Sequence, residues 1–260
     1  MAFQFIKVAR DGPVTRITLG RPEVLNALHP PAHHELAEAF DAFAADETQW
    51  IAIITGEGKR AFCAGNDLKY RVSEGRQPMP LSGFGGLCLR FDLDKPVIAA
   101  VHGLALGGGF ELALACDLIV ADETAVFALS EVTVGLAALA GGLQRLPRQI
   151  GMKAASGIAF TGRRVPAEEA LRLGLVNEVT PAGGSVAGAL RWTEQILAAG
   201  PLAVRAAKQV MQRGLAEPSL ASAIANQNDY PAVLTMRASD DAVEGPQAFE
   251  EKRPPRWRAQ

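Results

Sequence analysis

The stretch GLALGGGFELALACDLIVA, residues 103–121, constrains the fold more than any other part of the chain. It follows KPVIAAVHG (95–103), which reads as a strand, enters a helix through glycines at GFELALACD, and passes into LIVAD (118–122), another strand signal. Alternation of strand and helix belongs to the α/β class. Within this unit stands Glu111, behind three consecutive glycines and at the head of the most apolar stretch of the sequence. Burying a lone carboxylate costs several kcal/mol without partners. Glu111 is therefore either solvated or required by the chemistry.

Elsewhere the chain follows the same grammar. VTRITLG (14–20) and WIAIITG (50–56) read as strands ended by glycine. Between them PPAHHELAEAFDAFAADE carries Leu36, Phe40 and Phe43 at helical spacing behind Pro30 and Pro31, which gives a β-α-β opening. VPAEEALRLGLV (165–176) reads as a further helix followed by a short strand. Beyond TPAGGSVAGA the strand signal fades and helix-like segments follow one another to the end. We expect an α/β domain over residues 1–199 and a helical region over 200–260 that packs on its own core or on a second subunit.

Composition narrows the function. With 48% hydrophobic and 21% charged residues among 260, the chain has the material for a sizeable core. A formal net charge of -2 with no block of like charges gives no support for a nucleic-acid partner or an anionic membrane surface, so a small ligand is expected. The N-terminus lacks a signal-peptide core, and Glu111 and Asp117 interrupt the longest apolar region before the roughly 18 residues of a membrane span. Cys63, Cys88 and Cys116 lack metal-type spacing and sit in apolar contexts, which suits reduced thiols and a cytoplasmic location, with no metal site. His33 and His34 are adjacent, diverge on a helix, and are expected at the surface.

Two glycine-bearing turns, AFCAGNDL after WIAIITG and HGLALGGGFEL after KPVIAAV, lead from strands into helices. The first N–H groups of a helix lack intrahelical partners and lie at its partially positive end, so each turn is able to present a donor to a developing oxyanion. Removing one such donor costs about 3 to 4 kcal/mol of transition-state stabilisation. Neither turn has the spacing of a phosphate loop or a dinucleotide fingerprint, and no G-x-S-x-G nucleophile elbow occurs. Glu131 shares the oddity of Glu111, as the only charged residue between Glu123 and Arg145. Two carboxylates in one apolar cleft have their proton affinities pushed apart, which supplies a base and an acid near neutral pH.

In order and spacing, AFCAGNDL, KPVIAAVHGLALGGGFELALACDLIVA, FALSEVTVGL, TGRRVPAEEALRLGLVNEV and EGPQAFEEKRPP resemble the crotonase superfamily of enoyl-CoA hydratases and isomerases over nearly the whole chain, and several are especially similar to the carnitinyl-CoA dehydratase branch. The resemblance implies an α/β spiral of β-β-α units with a helical C-terminal trimerisation region, assembled as a homotrimer or dimer of trimers. It places the two thioester-binding N–H groups on Asn66 and Gly108 and the two catalytic glutamates on Glu111 and Glu131. The coenzyme A segment falls on Asn66, Asp67, Leu68 and Lys69, the loop beside the adenine on Asn26, Ala27 and Leu28, and a phosphate contact to a neighbouring subunit on Lys252. No cofactor is expected, because coenzyme A is part of the substrate. GLAALAGG has Ala138 where the family usually has proline, and this apolar loop suits plain enoyl chains better than a quaternary ammonium. The implied activity is syn addition of water to a 2-trans-enoyl-CoA, with Glu111 activating the water and Glu131 delivering the proton to C2. The alternatives are a carnitinyl-CoA dehydratase, an enoyl-CoA isomerase, or a non-catalytic CoA-thioester- or RNA-binding relative.

Overall fold

The computed structural model describes residues 3–75 and 77–260. Its strands, in chain order, are β1 (Ile6–Asp11), β2 (Val14–Leu19), β3 (Ile51–Gly56), β4 (Ala61–Cys63), β5 (Val97–Val101), β6 (Leu104–Leu106), β7 (Leu118–Asp122), β8 (Val126–Ala128), β9 (Val165–Pro166) and β10 (Glu178–Thr180). The helices are α1 (Pro30–Ala45), α2 (Leu68–Glu74), α3 (Gly108–Ala115), α4 (Gly142–Ile150), α5 (Met152–Ala159), α6 (Ala167–Arg172), α7 (Ser185–Leu197), α8 (Pro201–Gly214), α9 (Leu220–Asn226), α10 (Pro231–Arg237) and α11 (Asp241–Glu250).

One sheet runs β1-β2-β3-β5-β7-β10 and a smaller one β4-β6-β8-β9. β3, β5 and β7 lie parallel in the first sheet, and β4, β6 and β8 lie parallel in the second. The chain therefore repeats one move three times: a strand to the large sheet, a short strand to the small sheet, then a helix. That repeat is the expected spiral of β-β-α units, and the class is α/β. Every residue of β3 and β5 is buried, as strands covered on both faces require, which explains the Val/Ile/Ala run of β5 and the IAII start of β3. β2 and β3 pair in parallel across α1, so the β-α-β opening is present, and β1 joins it by an antiparallel hairpin closed at Gly12 and Pro13.

Two expectations need correction. The strand expected over 95–103 is β5, which ends at Val101, and a separate β6 begins at Leu104. Gly103 takes φ +54 between them, and a Cβ there would lie 2.2 Å from the Arg60 carbonyl oxygen. Only glycine permits the tight crossing from one sheet to the other. His33 is not at the surface: it is fully buried on the inner face of α1 beside Leu36 and Phe40, whereas His34 on the adjacent face is exposed, as expected.

The chain forms two compact units. The first takes residues up to Arg90 together with Val97–Arg191 and holds both sheets and α1–α6. The second takes Phe91–Pro96 and Trp192–Gln260. In the second unit Ala206, Tyr230, Ala232 and Val233 form a small core flanked by Val210 and Met236. Its C-terminal segment is tied down by Asp241, whose carboxylate accepts the backbone N–H groups of Arg258 and Ala259 at 2.8 and 2.9 Å, and by the Arg253–Glu244 fork. None of the three cysteines is in a disulfide and all are buried. Among the described residues, no helix is long and apolar enough to cross a membrane and no group of His, Cys, Asp and Glu is arranged to hold a metal.

Candidate active site

Helices α2 and α3 each start a few residues after the chain leaves the small sheet and meet a cleft of about 490 Å³ at their N-terminal ends, while α4 follows β8 after the Ser130–Val134 turn and reaches the cleft through the Gly142–Glu111 hydrogen bond. Asn66, Asp67, Leu68, Gly107, Gly108, Glu111, Ser130 and Glu131 all line it. Six of the sequence-derived site residues thus meet in one place: Asn66, Asp67, Leu68, Gly108, Glu111 and Glu131.

The two glycine turns lie side by side. Gly65 takes φ +92, and a Cβ built on it would sit 2.7 Å from the Leu106 carbonyl oxygen and 3.1 Å from the Gly108 nitrogen. Asn66 forms a one-residue parallel bridge with Leu28, in which the Leu28 N–H donates to Gly65 and the Asp67 N–H donates to Leu28, both at 2.8 Å. Bridge geometry turns the Asn66 N–H to the opposite side, and no protein acceptor takes it or the Gly108 N–H among the described residues. The Gly108 N–H heads α3, where the helix has no partner for it. Side chains are excluded here: a Cβ on Gly108 would meet the Phe84 ring at 2.5 Å, and one on Gly109 the Cys63 carbonyl oxygen at 2.1 Å.

Glu111 stands one turn into α3 and is 3% exposed. Its Oε1 accepts the Gly142 N–H at 2.8 Å, at the first turn of α4. Burial pushes its carboxyl up to about 7, with the Glu131 charge adding to the rise, while the Gly142 and Ala140 N–H groups and the Arg145 guanidinium pull the other way. Glu131 sits in the 3-10 turn Ser130–Val134 that follows β8. Its carboxylate abuts Gly107, where a Cβ would lie 3.0 Å from Oε1, and its buried Oε2 has no hydrogen-bond partner. Burial raises its proton affinity as well, with its own backbone N–H opposing. The glycine at 107, with φ +52, lets Glu131 and the head of α3 close on each other. Two desolvated carboxyls thus share a cleft wall with two unclaimed N–H donors.

The remaining sequence-derived positions fall around this centre. Asp67 caps α2 by accepting the Tyr70 N–H at 3.1 Å and pairs with Arg21 at 3.0 Å, and those contacts hold its carboxyl below the usual range against its partial burial. Lys69 is exposed and does not line the cleft. Asn26, Ala27 and Leu28 are buried in the turn behind Asn66. Asn26 adopts φ +55, a conformation asparagine tolerates, and its amide donates to the carbonyls of Glu57 and Ala61 at 3.0 and 2.8 Å. It also lines a separate hollow of about 270 Å³ between 22–26 and 57–61. Lys252 belongs to the second unit, exposed just past α11.

Several cleft residues were not singled out by sequence. Phe84 lies against Gly108, and His33 fixes it: its Nδ1 accepts the Gly85 N–H at 3.0 Å and its ring centre is 4.5 Å from that of Phe84. Burial drives the His33 ring down to about 3, so it stays neutral and keeps that acceptor. Gly142 and Ala140, which hold Glu111, belong to the LAGG segment whose signal is only two small residues after an apolar loop. Tyr70, Arg71, Gln77 and Met79 complete one wall.

The sequence matches the family described as "Enoyl-CoA hydratase/isomerase" over residues 9–260. It is 42% identical over 263 residues to a carnitinyl-CoA dehydratase of Proteus mirabilis, covering 98% of each chain, and 43% identical over 262 residues to one of Salmonella typhi, covering 97% of this chain and 98% of that one. Among solved structures, an enoyl-CoA hydratase from Mycobacterium tuberculosis H37Rv superposes with a TM-score of 0.92 at 39% identity over 98% of this chain and 99% of that one. An enoyl-CoA hydratase from Bacillus anthracis gives 0.89 at 36% identity, over 99% of this chain and all (100%) of that one. With this site on this spiral, and likeness along its whole length, the chain belongs to the enoyl-CoA hydratase/isomerase family.

Proposed function

We propose that the protein is an enoyl-CoA hydratase that adds water syn across the double bond of a 2-trans-enoyl-CoA thioester. The observation that carries this reading is the pairing of a buried glutamate, Glu111, and a half-buried one, Glu131, with two unclaimed backbone N–H groups in one cleft. Asn66 and Gly108 donate to the thioester oxygen. Ionised Glu111 accepts a proton from water as its oxygen bonds to C3, and the π electrons pass to the thioester as an enolate. The two N–H donors stabilise that charge as it develops on the thioester oxygen. Protonated Glu131 then gives its proton to C2. Solvent exchange returns both carboxyls to their starting states. Carboxyls raised by burial are suited to this exchange, since a base and an acid work best when their affinities lie near the operating pH.

Coenzyme A is held beside Asn66–Lys69 and the 26–28 turn, with Lys252 reaching the phosphates of a neighbouring subunit in a trimer or dimer of trimers. The enzyme works in the cytoplasm with no cofactor beyond the substrate's own coenzyme A. The dehydratases of Proteus and Salmonella favour a second reading, hydration of crotonobetainyl-CoA. In this cleft a quaternary ammonium meets an apolar wall of Val134, Leu136, Ala137 and Leu139, and the aromatic faces within reach are those of Tyr70 and Phe84. Assaying the purified protein with crotonyl-CoA, crotonobetainyl-CoA and a 3-enoyl-CoA separates the readings. Hydration of crotonyl-CoA with the highest kcat/KM supports the proposal, a preference for crotonobetainyl-CoA makes it a carnitinyl-CoA dehydratase, and 3-to-2 isomerisation without hydration makes it an isomerase.

A further inference from the structure

The cleft carries one charge that the hydration chemistry does not use. Helix α2 follows Asn66 and its N-cap Asp67, and Leu68, Tyr70 and Arg71 of the helix line the cleft together with the C-cap Gly75. Lys69 does not line it. Other charged side chains lining the cleft are accounted for: Asp67 is paired with Arg21, and Glu111 and Glu131 are the reacting pair. Arg71 is different, since its guanidinium makes no ion pair or hydrogen bond among the described residues and Glu74, one turn on, does not pair with it. Tyr70 and Gln77 share its wall with Met79, and Val134, Leu136 and Leu139 supply apolar lining to the same cleft.

An unpaired arginine lining a cleft has a specific use. Arg71 is exposed, and its planar fork is able to donate two parallel N–H bonds to a carboxylate. Arg71 stands three helical residues beyond Leu68, a rise of roughly 4.5 Å, and Leu68 itself follows Asn66 across the extended N-cap Asp67, so a group met by Arg71 lies several bonds beyond the thioester carbon. We propose that Arg71 binds a carboxylate at the far end of the acyl chain, so that the substrate class is a 2-enedioyl-CoA, an unsaturated thioester ending in a carboxylate. The apolar wall covers the methylenes between the double bond and that carboxylate. This rests on the enoyl-CoA hydratase reading of the cleft. The same oxyanion chemistry is offered by the phosphates of coenzyme A, and the test separates the two sources.

Two saturated, unreactive thioesters of equal chain length, adipoyl-CoA with a carboxylate end and hexanoyl-CoA with a methyl end, are titrated into the wild type and Arg71→Leu by calorimetry. The corresponding 2-hexenedioyl-CoA and 2-hexenoyl-CoA are assayed for hydration. The wild type is expected to bind adipoyl-CoA at least about tenfold more tightly than hexanoyl-CoA and to show the same preference in kcat/KM. In Arg71→Leu that ratio is expected to collapse to near one, and Arg71→Lys, which keeps the charge without the fork, to restore part of it. Equal affinity of the wild type for both thioesters overturns the proposal. So does an equal weakening of both by Arg71→Leu, which assigns the arginine to a coenzyme A phosphate. Tenfold discrimination in binding without any hydration sustains the carboxylate site and overturns the hydratase reading instead.

Discussion

Replacing Glu111 with Gln separates what this carboxyl does for the reaction from what it costs the fold. The side chain is 3% exposed and burial raises its proton affinity from the ordinary 4.5 to about 7. The native state therefore binds this proton more tightly than the unfolded chain does. Its stabilising contribution is fully present below about pH 4.5 and is lost as the pH rises through about 7. The gap corresponds to about 3 kcal/mol, an upper figure because the cleft is open to water on one side. Gln keeps the shape and an oxygen for the Gly142 N–H but never ionises. Urea unfolding at fixed protein concentration should then show the variant gaining on the wild type as the pH rises from about 5 to about 8, by up to about 3 kcal/mol. Over the same range wild-type hydration should fall on the acid side as Glu111 takes up its proton near 7, while Glu111→Gln loses at least about 100-fold at every pH. A stability difference that does not change with pH would refute the burial argument. Near-normal hydration by the variant would remove Glu111 from the chemistry.

Other consequences follow from the same geometry. Asn66→Ala should keep activity within about tenfold, or about 1.4 kcal/mol, because only its backbone N–H is used; Gly108→Val should abolish most of it, since the first added atom already meets the Phe84 ring at 2.5 Å. Equal tolerance at the two positions, read as kcat/KM, would refute the oxyanion-hole assignment. His33→Leu leaves the buried Gly85 N–H without its acceptor and should cost about 1 to 3 kcal/mol in denaturant unfolding; a change within experimental error would contradict the positioning of Phe84 by His33. Lys252→Ala should raise KM for CoA substrates more than it lowers kcat, in a protein that sediments as a trimer or hexamer. A stable, active monomer would refute that contact.

How much of this was legible in the sequence depended on the length of each signal. β3 and α1 are long enough to show a continuous apolar run or a helical period, and Glu111 is conspicuous because a charge seldom follows three glycines into an apolar helix. The small sheet was not legible. β4, β6 and β8 are three residues each, too short for any period, and their existence follows from the parallel strands of the large sheet each handing on to a neighbour. Residue contacts made by backbone groups were hidden as well: the N–H groups of Gly142 and Ala140 that hold Glu111 leave no mark on side-chain chemistry. His33 misled for a related reason. A histidine is usually read as polar, yet its acceptor nitrogen is satisfied by Gly85, and that partner lies fifty-two positions away.

The central claim, that Glu111 and Glu131 act together on one water and one substrate carbon, is tested most directly by hydrating crotonyl-CoA in deuterated water and locating the label. Wild-type product should be 3-hydroxybutyryl-CoA with a single deuterium at C2 on the same face as the new hydroxyl. Glu111→Gln and Glu131→Gln should each reduce its formation at least about 100-fold, and the double variant should be little worse than the poorer single one, because groups acting as one unit are not additive. Deuterium on the opposite face, or a double variant whose loss is the product of the two single losses, would contradict a shared two-glutamate mechanism.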